Sequence, residues 1–283
     1  MVGVLERVLV CSPRSAGWNR QPVAEWHRLG FLHAPDFQTS LAQHEALCRQ
    51  LEAAGAEVVC LPESDSLSLD GVYAHDASLP TDFGVILMNP GKANRCAERS
   101  EHRKTYEDLG VPVLGEIQPP GTTEAGDIVW LDVKTLLIGR GYRTNAAGIA
   151  QVRALLRPFD IDVIAAPLPH CSGPSACLHL MSLVSLLDEN TALVDLAWLA
   201  VETVELLCSK KYGFIEIDVS ERDTLACNVL ALGRKRLLCL EENSRTNDLL
   251  AKAGFDVRTF PGSELCIDGS GGPTCLTRPF ARG

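Results

Sequence analysis

Cys275 closes the run Gly269-Ser-Gly-Gly-Pro-Thr-Cys275, in which three glycines and a proline let the backbone approach a ligand and expose its N–H groups. A cysteine in such a place can act as a nucleophile when a base lies within hydrogen-bond reach and an acceptor orients that base. His179, between Leu178 and Leu180, and Glu124, in Thr123-Glu-Ala-Gly-Asp127, can fill those two roles. Each also has a plainer reading, Cys275 as a core thiol and His179 as a core histidine. Two further segments set polar groups into apolar sequence: Ser68 to Ser78, with Asp70, His75 and Asp76, and Gly139 to Asn145, with Arg140 and Arg143. His170 lies in Leu-Pro-His-Cys-Ser-Gly-Pro, a loop composition, and is a weaker candidate.

Segments so far apart in sequence can share a site only if the fold brings them together, and an internal repeat provides for this. Helix-like segments begin near Ser40, Arg95, Asn145, Leu196 and Asn247, at intervals of about fifty residues. Each is followed by a short β-rich run: Glu57 to Leu61, Val111 to Leu114, Asp162 to Ala166, Phe214 to Val219 and Asp256 to Phe260. Between one such run and the next helix lies a hairpin pattern. The hairpins pair Gly71 to Leu79 with Gly84 to Met88, Asp127 to Leu131 with Thr135 to Gly139, Leu178 to Leu187 with Thr191 to Val194, and Asn228 to Leu232 with Arg236 to Leu240. The first helix and strand lack an upstream hairpin. Pairing Arg7 to Cys11 with Cys275 to Phe280 would supply it and close a ring. On periodicity alone, an open three-layer α/β sheet is the alternative.

Composition bounds the function. The 283 residues are 46% apolar and 22% charged, which is ordinary globular usage and excludes disorder, collagen and coiled coil. Length allows one or two domains, and the repeat favours one. Thirty-six acidic against 26 basic side chains leave a net charge of −10, without the electrostatic footprint of a nucleic-acid or anionic-lipid binder. A small cationic partner suits that balance. The eleven cysteines show no CxxC pair and no zinc-finger spacing. Most, such as Cys60 and Cys239, sit in apolar runs that read as packing positions in a reducing cytosol. The N-terminus does not read as a signal peptide. The stretch Thr191 to Cys208 carries Asp195, Glu202 and Glu205 at helical spacing, so it reads as amphipathic and not as a membrane span.

Taken in order, Asp70 and Asp76, Pro90-Gly91 with Arg95 after it, Glu124-Ala-Gly-Asp127, Gly141-Tyr-Arg-Thr-Asn145, Leu178-His-Leu180, Asn228 and Gly-Gly-Pro-Thr-Cys275 form a recognisable series. The series resembles the guanidino-group modifying enzymes: arginine deiminases, amidinotransferases and dimethylarginine dimethylaminohydrolases. The resemblance runs from Arg7 to Phe280. It implies one domain over residues 1–283, an α/β five-bladed propeller (pentein) of ββαβ repeats about a pseudo-fivefold axis. It also implies a hydrolase acting on a C–N bond of arginine or an N-methylated arginine. Cys275 would attack the central guanidinium carbon, and Asp76 would grip the guanidinium. His179 would protonate the leaving amine and then deprotonate the water that resolves an S-alkylthiouronium. Glu124 would orient His179. Arg95 and Arg143 would hold the α-carboxylate, where a rigid guanidinium fork suits a carboxylate. Asp70 would stand near the α-ammonium, and Asp127 reads as structural. The partner implied is a small cationic guanidino amino acid, with citrulline as product. No cofactor or metal is implied, the setting is cytoplasmic, and a homodimer fits.

Met181 stands where arginine deiminases usually carry a second aspartate, and the chain has no room for their added helical domain. Its compact form is most similar to the dimethylarginine enzymes. It departs from them at His75, where Glu is usual, and in the longer glycine and proline content of Gly269 to Pro273. His75 is therefore a candidate to change which substrate fits. Gly17 to Pro35 falls where the family places a lid. Amidino transfer to an acceptor amine is a competing reading, and a non-catalytic amino-acid binder is a third.

Overall fold

The structure, a computed structural model, describes residues 2–20, 26–174 and 178–283. The chain opens with β1 (Leu5–Val10), α1 (Trp26–Leu29), α2 (Phe37–Ala53) and β2 (Glu57–Cys60). Four units of one plan follow. The first has β3 (Ser78–Thr81), β4 (Gly84–Leu87), α3 (Glu98–Asp108) and β5 (Val113–Glu116). The second has β6 (Ile128–Asp132), β7 (Thr135–Arg140), α4 (Ala146–Leu156) and β8 (Asp162–Pro167). The third has β9 (Val184–Leu186), β10 (Thr191–Val194), α5 (Val201–Ser209) and β11 (Gly213–Glu216). The fourth has β12 (Leu230–Gly233), β13 (Arg236–Leu240), α6 (Ser244–Lys252) and β14 (Asp256–Phe260), and β15 (Thr277–Arg282) ends the chain.

The strands form five three-stranded sheets, each with a central strand flanked by one antiparallel and one parallel neighbour. In the sheet β15-β1-β2, β1 pairs antiparallel with β15, Val10 facing Thr277, and parallel with β2, Val10 facing Cys60. The expected pairing of the terminal strands is therefore present and supplies the hairpin that the first unit lacks. Central strands are apolar and buried: Val85, Ile86 and Leu87 in β4, Leu136 to Ile138 in β7, Leu237 to Cys239 in β13. A strand covered on both faces reads as a continuous apolar run, as these do. Side chains supply caps where the sequence offers them. Asp36 accepts the N–H of Thr39 at the start of α2, and Asn145 that of Gly148 at the start of α4.

In two hairpins the first strand is much shorter than the sequence suggests. Of the expected run Gly71 to Leu79 only Ser78 and Leu79 are in β3, and of Leu178 to Leu187 only Val184 to Leu186 form β9. The residues before them fold into 3₁₀ turns, Leu69–Val72 and Leu180–Ser182. They are apolar because the turns are buried: Leu69, Val72, Leu180 and Met181 are all core. The expectation for cysteine also needs correcting. Cys11, Cys227, Cys239 and Cys266 are buried, but Cys60, Cys96, Cys171 and Cys208 are exposed. Cys60 ends β2, an edge strand, so its apolar neighbours do not enclose it. Cys177 lies outside the described residues.

Candidate active site

The chemistry-bearing side chains come from the turns that lead into the first strand of each sheet. Asp76, Asn228 and Cys275 each stand two residues ahead of β3, β12 and β15. Glu124 precedes the 3₁₀ turn Ala125–Asp127 that enters β6, and His179 precedes Leu180–Ser182. Each of the five sheets thus contributes at an equivalent place. A cavity of about 270 Å³ is lined by Cys275, His179, Asp76, Asp70, Arg143 and Lys92, among others. A larger groove of about 400 Å³ runs beside β8 and α5, but no cysteine or histidine is in its lining.

Cys275 is half-buried, and the side-chain amide of Asn228 donates to its sulfur at 3.1 Å. The turn is held by Thr277 Oγ1 on the carbonyl of Pro273, 2.9 Å, and by the N–H of Thr274 on Asn228 Oδ1, 3.0 Å. The glycine run ahead of it serves packing as well as access. A Cβ on Gly269 or Gly271 would overlap the ring or hydroxyl of Tyr73, so only glycine lets the loop lie against that ring.

His179 Nε2 and Glu124 Oε2 are 2.8 Å apart. The other Glu124 oxygen accepts the N–H of Gly91 at 2.9 Å, and Arg143 reaches both oxygens at 3.1 and 3.2 Å. Burial by itself would push the Glu124 carboxyl up, but the hydrogen bond and charge of His179 outweigh it and bring the value down to about 2. Glu124 is thus ionised over the working range and fixes the ring, as an orienting acid must. Asp76 accepts Arg95 Nη1 at 2.6 Å and the N–H of Gly126 at 2.8 Å. Against the cost of burial, the charges of His179 and Arg95 hold its carboxyl far below the ordinary range. Gly126 has no alternative here: a Cβ would lie 2.7 Å from His179 Nδ1 and 2.8 Å from Asp76 Oδ1.

The structure sorts the remaining sequence candidates. Arg95 is buried and sends Nε and Nη2 to Glu98 at 2.7 and 2.8 Å, Nη1 to Asp76, and Nη2 to the Tyr73 carbonyl at 2.8 Å. It braces the Asp76 carboxylate. Arg143 lies on Glu124 at the cavity wall. Asp70 is paired with Lys92 and Asn94. Asp127 takes the N–H of Leu180 at 3.0 Å, tying its own turn to that of His179, the structural place expected of it. Burial raises its carboxyl to about 6.

His75 is not in the cavity lining. Its Nδ1 is 2.8 Å from the carbonyl of Thr277, and its backbone N–H donates to the carbonyl of Cys275 at 3.0 Å. Burial, aided by the Arg278 charge, pushes the ring down to about 3, so it is neutral. The expectation that the His75 side chain meets the substrate and changes which one fits is corrected on that ground. His75 backs β15, the strand that follows Cys275.

Three residues that sequence reasoning missed are Glu98, Lys92 and Tyr73. Glu98 opens α3 and looks like any acidic first-turn residue, and only its bidentate contact with Arg95 gives it away. Of the segment Gly17 to Pro35, residues 21–25 lie outside the described residues. In the rest, Trp18 and Phe31 are buried edge to face, 5.8 Å apart, and Leu32 and His33 are tied to Asp268. Leu29 and Gly30 line the cavity.

Asp76, Glu124 and His179 each place a ligand atom within 4.8 Å of the others, close enough to share a metal ion. Arginine side chains and backbone N–H groups already hold both carboxylates, so the trio is built as an anion–cation network. Such a site can polarise a planar cation, hold it in line with a thiol and exchange protons with it.

The chain is 29% identical over 247 residues to the N(G),N(G)-dimethylarginine dimethylaminohydrolase of Streptomyces coelicolor, covering 86% of each chain. It is 28% identical over 250 residues to the enzyme of that name from Pseudomonas aeruginosa, covering 88% of this chain and 91% of that one. A solved dimethylarginine dimethylaminohydrolase adduct with S-methyl-L-thiocitrulline matches with a TM-score of 0.79 at 26% identity, covering 98% of this chain and all of that one. This chain falls in the guanidino-group modifying superfamily, close to dimethylarginine dimethylaminohydrolase. Within that superfamily, the arginine deiminase family model matches residues 197–282, from the turn before α5 to β15. Among the described residues no helix is long and apolar enough to cross a membrane.

Proposed function

We propose that the chain is a cysteine hydrolase that cleaves a C–N bond in the guanidinium of an arginine-like compound. Arginine and its N-methylated forms are the first substrates to test, on the names of the relatives. We read the five sheets as blades of a five-bladed α/β propeller whose leading turns converge on the substrate. The observation that carries the reading is one cavity that holds the Cys275 sulfur, the Asp76 carboxylate and a His179 ring fixed by Glu124.

The cation lies against Asp76, and the Cys275 sulfur forms a bond to the central carbon. His179 gives a proton to one nitrogen, whose bond to carbon breaks, releasing ammonia or an amine and leaving an S-alkylthiouronium. His179 then takes a proton from water as the water oxygen bonds to the same carbon. The C–S bond breaks, the thiolate returns and a ureido compound departs, citrulline when the substrate is arginine. A positive ligand beside the sulfur favours thiolate, so binding assists its own attack.

Incubating the full chain with arginine and with mono- and dimethylarginine, and assaying the ureido product, tests this directly. Cys275→Ser should abolish turnover, and intact-protein mass spectrometry of the quenched wild type should find the covalent adduct. Undiminished turnover by Cys275→Ser would overturn the mechanism. A new guanidino product on adding glycine, lysine or ornithine would redirect the reading to amidino transfer.

A further inference from the structure

Asp70 stands where the resemblance puts the partner of a substrate α-ammonium, and an ammonium is already there. Lys92 Nζ lies 3.2 Å from Asp70 Oδ2 and donates to the carbonyl of Leu29 at 2.9 Å. Asn94 Nδ2 donates to the same Asp70 oxygen at 2.9 Å. A carboxylate and a backbone carbonyl converging on one nitrogen make an ammonium site, and Lys92 fills it from within the chain. The Asp70 side chain is 5% exposed and that of Lys92 25%, and Asp70, Lys92 and Leu29 all line the cavity that holds Cys275. This pair departs from the surface ion pair that merely decorates a fold.

We propose that Lys92 takes the place of a substrate α-ammonium, so that the preferred substrate is an ω-guanidino carboxylic acid with no α-amino group. The inference rests on the guanidinium-cleaving reading above and specifies the other end of its substrate. An incoming α-ammonium would have to evict Lys92 from two acceptors, or crowd a second positive charge beside a single carboxylate that already serves two donors. A tail bearing only a carboxylate leaves the Lys92–Asp70 pair in place and brings its negative charge to Lys92. Arg95 directs Nε and both terminal nitrogens at Glu98, Asp76 and the Tyr73 carbonyl, so recognition of that carboxylate falls to Lys92 and to Arg143 on the same wall. Lys92 is thereby a specificity-determining residue.

The decisive pair of compounds is arginine and 5-guanidinopentanoate, which differ only in the α-amino group. For the full chain, kcat/KM should favour 5-guanidinopentanoate by about tenfold or more, the scale of 1.4 kcal/mol per factor of ten. Lys92→Met should reverse the order, raising arginine turnover and lowering that of the desamino compound. Lys92→Gln, which keeps a donor and drops the charge, should move in the same direction while melting at the wild-type temperature. Calorimetric titration of Cys275→Ser with both compounds gives the same comparison in Kd, independent of turnover. A preference for arginine in the wild type, or an unchanged ratio in both Lys92 variants, overturns the assignment while leaving the hydrolase reading intact. Turnover of neither compound, with the binding preference present, overturns the hydrolase reading and supports the assignment.

Discussion

The side chain of Asn228 holds Cys275 from two directions. Its Nδ2 donates to the Cys275 sulfur at 3.1 Å while its Oδ1 accepts the N–H of Thr274 at 3.0 Å, one residue upstream. The first contact stabilises a thiolate and the second fixes the backbone that aims it. Asn228→Ala should lose both, costing about 1–2 kcal/mol of stability and slowing alkylation of Cys275 at neutral pH. Asn228→Asp keeps the acceptor but replaces the donor with a negative charge, so the alkylation profile should move to higher pH by about one unit or more. The rate of iodoacetamide labelling against pH measures both, and coincident profiles for the three proteins would remove Asn228 from thiol activation.

The backbone of Gly126 lies against two side chains of the site, His179 and Asp76. Its replacement by alanine puts a methyl 2.7 Å from His179 Nδ1 and 2.8 Å from Asp76 Oδ1, and neither group can withdraw without breaking a contact to Glu124 or Arg95. Overpacking of this kind costs about 1–3 kcal/mol, and a displacement of about 1 Å at reacting groups about a hundredfold in rate. Gly126→Ala should therefore lower kcat far more than it lowers the melting temperature. Wild-type kinetics in that variant would mean the turn relaxes freely.

Glu124 should tolerate neither loss of charge nor loss of length. As Gln it presents an N–H₂ where Gly91, His179 and Arg143 now all point donors at carboxylate oxygens. A drop in kcat of about 10²–10⁴, the range of general acid–base catalysis, is expected. Because the wild-type carboxyl titrates only at about 2, mild acid should not reproduce the variant. Activity at pH 5 that falls to the level of Glu124→Gln would contradict this.

Acid stability follows from three buried rings. Burial lowers His44 to about 4 and, with nearby arginine charge, His75 and His102 to about 3. Unfolded, each titrates near 6.5, so between pH 6.5 and those values the unfolded chain binds more protons and stability falls as pH falls. At pH 5 the loss is about 2 kcal/mol per ring, from about 1.4 kcal/mol per pH unit. Asp127, raised to about 6, and Glu98, raised by burial to about 8, work the other way, each holding a proton in the folded chain and offsetting about 1 and about 2 kcal/mol respectively between pH 7 and pH 5. The denaturant midpoint should thus fall only modestly from pH 7 to pH 5, and His102→Gln should make that slope shallower still. A slope unchanged by His102→Gln would show that its ring is solvated in the folded chain.

What the sequence makes legible follows what is local. The run Asp256–Phe260 reads as a strand and is β14 residue for residue, because an edge parallel strand is bounded on both sides by turn residues. Two leading strands, those of β3 and β9, are over-extended, because the turns at Asp70 and Leu180 are as apolar as strands when the core encloses them. Cys275, His179, Glu124 and Asp76 carry local signatures and do meet in one site. The partners of Arg95 and Asp70 do not announce themselves. Glu98 and Lys92 look like surface charges until the turns after β4 bring them inward. His75 misleads for the same reason, since nothing in Ala-His-Asp says which of two adjacent polar side chains faces the cavity and which faces the strand behind it.

Drawing one group from the turn ahead of each of five sheets gives activity a different meaning from that of an ordinary fold probe. A site on one rigid element survives local opening elsewhere, whereas here the fraying of any single sheet displaces one of Cys275, Asp76, Glu124, His179 and Asn228, all of which the proposed reaction uses. Turnover should therefore track the least stable fifth of the molecule. In mild urea it should vanish ahead of the bulk circular dichroism signal, and the amides that exchange first will identify which sheet sets the enzyme's working limit.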